Sequence, residues 1–181
     1  MIYQREFQVQ TSGHRQMHDL TEQVARIVGE SGLRAGLAHI FHVGSTGAIG
    51  TIEFEPGLQQ DLPAILDKLF PPSRDYGHEQ AWHDGNGHSH LQATMLGPSL
   101  VVPIKEGKLM LGTWQQIFHL ECDIKPRRRT IAVNADRGRL SAGNLETDWK
   151  RTTRSITLPP CCSLKTWPSY WKKTGTRPGR E

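Results

Sequence analysis

The chain has 181 residues, with 22 Lys+Arg against 18 Asp+Glu and 36% hydrophobic residues, which suits one domain of ordinary size and leaves a second full domain crowded. No run approaches the roughly 18 apolar residues of a spanning helix, which excludes an integral membrane protein built on helices; the first ten residues lack the apolar stretch of a secretory leader. Cys122, Cys161 and Cys162 make no disulfide framework, so a reducing, cytoplasmic setting is expected.

Taken in order, residues 1–10 place Ile2, Phe7 and Val9 among polar neighbours and read as a half-buried strand. Asp19 to Ser31 carries Leu20, Val24, Ile27 and Val28 at helical spacing, with Asp19 available as a cap and Gly32 just past the end. Leu37–Val43 is a strand, Gly44-Ser-Thr-Gly47 a break, and Ala48–Phe54 a second strand. Glu55-Pro-Gly57 reads as a turn and Leu58–Phe70 as a helix that starts near Asp61, which puts Pro63 in its first turn. Residues 73–90 read as a long polar loop and Leu91–Leu96 as a short helix. Leu100–Ile104 and Lys108–Leu111 form a hairpin about Glu106-Gly107, and Thr113–Cys122 and Thr130–Val133 are further strands. The expected class is α+β: a largely antiparallel sheet core with two to three packed helices.

Charge divides the chain. Residues 138–181 hold nine Lys/Arg and three acids, a balance of +6, which leaves residues 1–137 with 13 basic and 15 acidic groups, or −2. The basic character belongs to the tail, so the folded part does not read as a nucleic-acid binder. Residues 1–137 are the expected domain. Residues 138–181 lack any sustained period and read as a basic, poorly ordered extension.

The densest chemical signal is His78-Glu-Gln-Ala-Trp-His-Asp84-Gly-Asn86-Gly-His88-Ser-His90, which contains four of the nine histidines. On extended chain, Asp84, Asn86, His88 and His90 share one side, and His-x-His then clamps a metal. On a helix the same spacing sets the rings about 200° apart. Nitrogen and carboxylate donors suit zinc first, with manganese, iron or nickel as alternatives. The competing reading is a solvated turn. Glu53 and Glu55 share a strand face and are candidates for acid–base work. Ser45 and Thr46, in Gly44-Ser-Thr-Gly47, are placed to cradle a phosphate, although the segment lacks the lysine and helix of a P-loop. Arg127 and Arg129 alternate onto one face, ready to grip an anion or to discourage edge pairing.

Gly85-Asn-Gly-His-Ser-His90, Leu96-Gly-Pro-Ser99, Gly112-Thr-Trp-Gln-Gln-Ile117, Asp123 and Arg127-Arg-Arg129 together resemble the secondary thiamine-phosphate synthase (YjbQ-like) family, over about Ile2 to Asp136. The resemblance implies a YjbQ-like fold, a homotrimer, and a metal-compatible pocket near subunit contacts. It also implies synthesis of thiamine phosphate from hydroxymethylpyrimidine diphosphate and thiazole phosphate, with release of pyrophosphate. It matches His88 and His90 to the family's histidine pair, Asn86 to its polar neighbour, Glu53 to its strand glutamate and Trp114-Gln115 to a pocket-lining segment. Gly44 stands where many members have histidine, so His78 or His42 is left to supply a third imidazole. On this reading His78, His88 and His90 hold the metal, Glu53, Arg127 and Arg129 act in catalysis, and Ser45, Thr46, Asn86, Trp114 and Gln115 bind a small phosphorylated substrate. The alternatives are a metal-dependent phosphohydrolase and a non-catalytic trimer that binds metal or a small molecule. No membrane partner is expected.

Overall fold

The structure, a computed structural model, describes residues 2–138. The expected extension lies, from residue 139 on, outside the described residues. Two antiparallel sheets make the framework. One has the order β1 (Ile2–Thr11), β8 (Arg127–Asp136), β3 (Ala35–Val43), β5 (Ser99–Lys105), β6 (Lys108–Leu109), and the other has the order β2 (Met17–Asp19), β7 (Gln116–Glu121), β4 (Gly47–Ile52). With α1 (Thr21–Glu30), α2 (Pro56–Leu69), the one-turn α3 (Glu79–Trp82) and α4 (Gly87–Leu96), the expected α+β class holds. No helix among the described residues is long and apolar enough to cross a membrane.

Strand alternation gives β7 two buried faces. Ile117 meets Ile40, Ile49, Ile131 and the α1 residues Val24, Ile27 and Val28 in the larger core, whereas Phe118, Leu120 and Cys122 meet Leu66 of α2 and Ala93 of α4 in a second core. The small sheet is therefore sandwiched, with the large sheet and α1 on one side and α2 and α4 on the other. Burying Val24 or Ile27 contributes about 1.5–3 kcal/mol each relative to exposure.

Local chemistry explains where the elements start and stop. The N-cap of α1 is Leu20, without a side-chain cap bond; Asp19, one residue earlier, braces the helix start by accepting from Thr21 N at 2.8 Å and Thr21 Oγ1 at 2.5 Å. Glu106 and Gly107 take φ of 54° and 82°, the pair of positive values that a two-residue hairpin turn with the sheet's twist requires.

Other expectations are corrected. Glu55 is a cap rather than a turn residue: its carboxylate accepts from Gly57 N at 2.7 Å and from Leu58 N, so α2 begins at Pro56 and Pro63 lies well inside it. Because β4 ends at Ile52, Glu53 and Glu55 do not share a strand face. Residues 112–115 form a turn closed by Gln115 N to Gly112 O at 3.0 Å, which shortens β7. The long polar loop is interrupted by α3, and α4 starts at Gly87 and takes in both His88 and His90. The short β2 has too few residues to show a period.

Candidate functional site

The helical start of α4 separates the two histidines expected to act together. His88 is 1% exposed and turns inward, its ring edge-on to His14 at 5.3 Å between centroids and 6.4 Å from Tyr76. His90 leaves the helix on another side, 4.7 Å from the ring of His78. The extended His-x-His clamp is therefore not formed, because consecutive odd or even residues diverge on a helix. Helix formers are weak over Gly87-His-Ser-His90, and packing decides instead. A Cβ at Gly87 would lie 2.6 Å from Tyr76 Cβ and 3.2 Å from His78 Cβ, so the absent side chain lets α4 seat directly on the 76–78 segment.

That close approach builds a different group: His78, Asp84 and His90. His78 sits at the N-terminal end of α3, and the loop after α3 turns back through left-handed His83 (φ 54°) to present Asp84. The loop is braced from inside by Glu79, 6% exposed, whose carboxylate accepts from Arg74 Nη1 at 2.9 Å and Gly85 N at 2.5 Å. His78 Nε2 and Asp84 Oδ1 lie 3.4 Å apart without hydrogen-bond alignment, and Asp84 Oδ1 is buried with no hydrogen-bond partner. Burial, with the neighbouring His78, lowers the pKa of His90, which keeps the ring neutral with a free lone pair. His90 also lines a pocket of about 130 Å³ with Gly44, Ser45, Ala93, Thr94 and Pro98. As the side chains stand, no three His, Cys, Asp or Glu residues among the described ones already surround one metal-sized point. The donors of this group fit a metal in kind, and the orphaned Asp84 oxygen is the observation that marks the fit.

The remaining candidates lie elsewhere. Arg127 and Arg129 do share a face of β8, but Arg129 is in phase with Ile131, Val133 and Ala135, so that face is the core. Arg129 Nε and Nη2 donate to Glu121 Oε2 and Oε1 at 2.7 and 2.5 Å, and Arg127 Nε donates to Asp123 Oδ2 at 2.9 Å. Arg129 is committed to a buried carboxylate, whereas Arg127 pairs with Asp123 while 41% of its side chain stays exposed. Thr46 is buried, donating to Asp123 Oδ2 at 3.2 Å and accepting from Arg129 Nη2 at 2.8 Å, while its neighbour Ser45 faces the pocket. Asn86 is buried at the start of α4, with its Oδ1 unpartnered. Glu53 is exposed, and its side chain makes no hydrogen bond among the described residues. Trp114 is 70% exposed, and Gln115 braces its own turn by accepting from Gly112 N and donating to Thr51 Oγ1, both at 3.1 Å.

Sequence reading missed two polar clusters. In one, Asp67 on α2 accepts from Arg15, from Gln92 at 2.8 Å and contacts His14 Nε2 at 2.9 Å. In the other, His18, His42 and His119 stack between the sheets. His42 was visible in one respect: it follows Ala38 and Ile40 in the inward phase of β3.

A family model described as UPF0047 protein YjbQ-like matches residues 5–137. The chain belongs to this family. A UPF0047 protein of Archaeoglobus fulgidus is 42% identical over 130 residues, 72% of this chain and 98% of the relative. One from Methanothermobacter thermautotrophicus is 38% identical over 133 residues, 74% of this chain and 91% of the relative. Among solved structures, a Sulfolobus solfataricus protein described as YbjQ-like and of unknown function superimposes with a TM-score of 0.70 at 38% identity, covering 75% of this chain and 96% of that one. These findings correct the expected activity. The relatives are named only as UPF0047 proteins, and the solved neighbour is of unknown function, so family membership does not carry thiamine-phosphate synthesis, a transferase class or a place in thiamine biosynthesis.

Proposed function

We propose that this YjbQ-family protein binds a divalent, zinc-class cation through His78, Asp84 and His90, the last of which also lines the pocket beside Ser45. The observation that carries this reading is the 3.4 Å between His78 Nε2 and Asp84 Oδ1, facing each other without a hydrogen bond. Two donors bound to one tetrahedral ion at 2.0–2.1 Å stand about 3.3 Å apart. His90, its ring 4.7 Å from that of His78, is the third donor and closes by a side-chain rotation. Three protein donors and one free position form the open type of zinc site, where a bound ion supplies Lewis acidity to an oxygen ligand. Ser45 and Thr94 supply the polar wall, and a pocket of about 130 Å³ admits only a small ligand or a few waters. Glu79 holds the loop that carries Asp84, and Gly87 sets the distance between His78 and α4.

The test is metal content of the folded full chain after exposure to zinc and removal of excess. Exposure is expected to add one tightly held ion per chain, an increment lost in His78→Ala, Asp84→Asn and His90→Ala and retained in His88→Ala. Equal loss in His88→Ala, or full retention in His90→Ala, refutes the assignment.

A further inference from the structure

Three imidazoles cluster away from that site, His42 and His119 buried and His18 partly exposed. His18 of β2 and His119 of β7 are directly opposed in the strand register, and His42 reaches them from β3 of the other sheet. The rings of His42 and His119 are 5.0 Å apart between centroids, and those of His18 and His119 are 6.1 Å apart. His42 and His119 are both 0% exposed. Among the described residues no group meets full hydrogen-bond geometry with either ring nitrogen of His42 or His119 or with Nε2 of His18, although the Gly44 backbone approaches His42. A neutral imidazole carries one N–H and one lone pair, and each buried group left unsatisfied costs about 1–3 kcal/mol. An apolar residue at these inward strand positions would avoid that cost, so the cluster calls for something that the protein atoms do not provide.

We infer that His42 and His119, with His18 as third donor, form a second, buried site for a late first-row divalent cation, loaded as the chain folds. Gly47 shows how closely the two principal donors approach. A Cβ built there would lie 2.7 Å from His42 Nε2 and 2.8 Å from His119 Nε2, so both nitrogens converge on the same stretch of β4 backbone. Their separation is at most roughly 5.5 Å, the sum of those distances, and small ring rotations reach the ~3.3–4.1 Å that one ion bonded at 2.0–2.1 Å demands. A side chain at position 47 would occupy that space, which glycine leaves open. Burial holds both rings neutral, the pKa of His42 lowered to about 4 and that of His119 to about 3, so their lone pairs are available at neutral pH. Arg129, paired with Glu121, lies nearby, and its charge adds to the lowering at both rings. Imidazole-only donors select zinc, copper, nickel or cobalt over magnesium or calcium, which take oxygen ligands. With no exposed edge on His42 or His119, entry accompanies folding and binding stabilises the folded chain.

This inference is independent of the surface site, and the test separates them. The full chain carrying His78→Ala/His90→Ala is unfolded, refolded with zinc or with chelator, and freed of excess metal. One retained zinc per chain and a raised thermal midpoint are expected only after refolding with zinc. Adding His42→Val/His119→Leu should abolish both effects. Apolar side chains there remove unsatisfied groups, so the metal-free midpoint of that variant should hold or rise. X-ray absorption at the zinc edge of the refolded parent gives a second readout that needs no further variant, with two or three imidazoles expected around the ion. Absence of retained zinc, retention undiminished by the apolar pair, or zinc ligated by oxygen alone would each overturn the inference and leave ordered water as the satisfier of the rings.

Discussion

Replacing Arg129 by methionine removes the partner of a carboxylate that has no access to water. Glu121 is 0% exposed and holds both guanidinium hydrogen bonds, while Thr11 Oγ1 and the Asp123 amide, each at 2.8 Å, are the other donors to it among the described residues. Loss of one member of such a pair strands a buried charge and costs about 3–5 kcal/mol. Two smaller losses accompany it: the 2.8 Å bond to Thr46 Oγ1 and some packing of the side-chain stem. For a domain of this size, that predicts a fall of about 10–15 °C in the thermal midpoint. Glu121→Leu/Arg129→Met, by contrast, is expected within about 1 kcal/mol of the parent or above it, because neither charge then needs to be buried. Urea unfolding followed by circular dichroism, run as a double-mutant cycle, measures both quantities. If Arg129→Met cost less than 1 kcal/mol, or if the two changes proved additive, the assignment of this pair as a coupled, desolvated unit would be wrong.

Acid sensitivity is a further expectation. Burial alone would raise the pKa of Asp67, but hydrogen bonds from Arg15 and Gln92 and the proximity of His14 hold it below its ordinary value of 3.8. The unfolded chain therefore binds the extra proton first. The contribution to stability is complete above pH 3.8 and is lost as pH falls through the lower folded value. Thermal midpoints at pH 5 and pH 3 should fall further in the parent than in Asp67→Asn. Cys122, 1% exposed with its thiol pushed up to about 12 by burial first and Glu121 second, should be inert in the folded state. At pH 8 the reactive thiolate is therefore scarce. In a chain with Cys161→Ser and Cys162→Ser, a thiol reagent should label the protein only under denaturant; rapid native labelling would contradict the burial.

Much of the architecture follows from local patterns. The repeat of Leu20, Val24, Ile27 and Val28 marks α1, alternation marks β1 and β3, and Glu106-Gly107 marks the hairpin, because each is a property of neighbours along the chain. The crowding of histidine into residues 78–90 likewise points to that segment, which names His78 and His90 as metal ligands and Asp84 only as a neighbour on the shared side. Spacing alone did not say that His88 would leave the group and Asp84 would enter it. That depends on Gly87 meeting Tyr76, a contact between a helix and the loop before it that overrides weak helix propensity.

The shared face of Arg127 and Arg129 was legible, but its direction was not, since a period of two is the same whether the face meets water or a second sheet. Glu121 completes the distinction by pairing with Arg129 from the other sheet. The three clustered imidazoles show the same boundary more sharply. His18, His42 and His119 are far apart along the chain, each in an unremarkable strand, and they meet only because β2 and β7 pair in register while β3 crosses above them in another layer. Strand periodicity is settled within a few residues, whereas the meeting of side chains is settled by register and layer packing among segments that do not know one another in sequence.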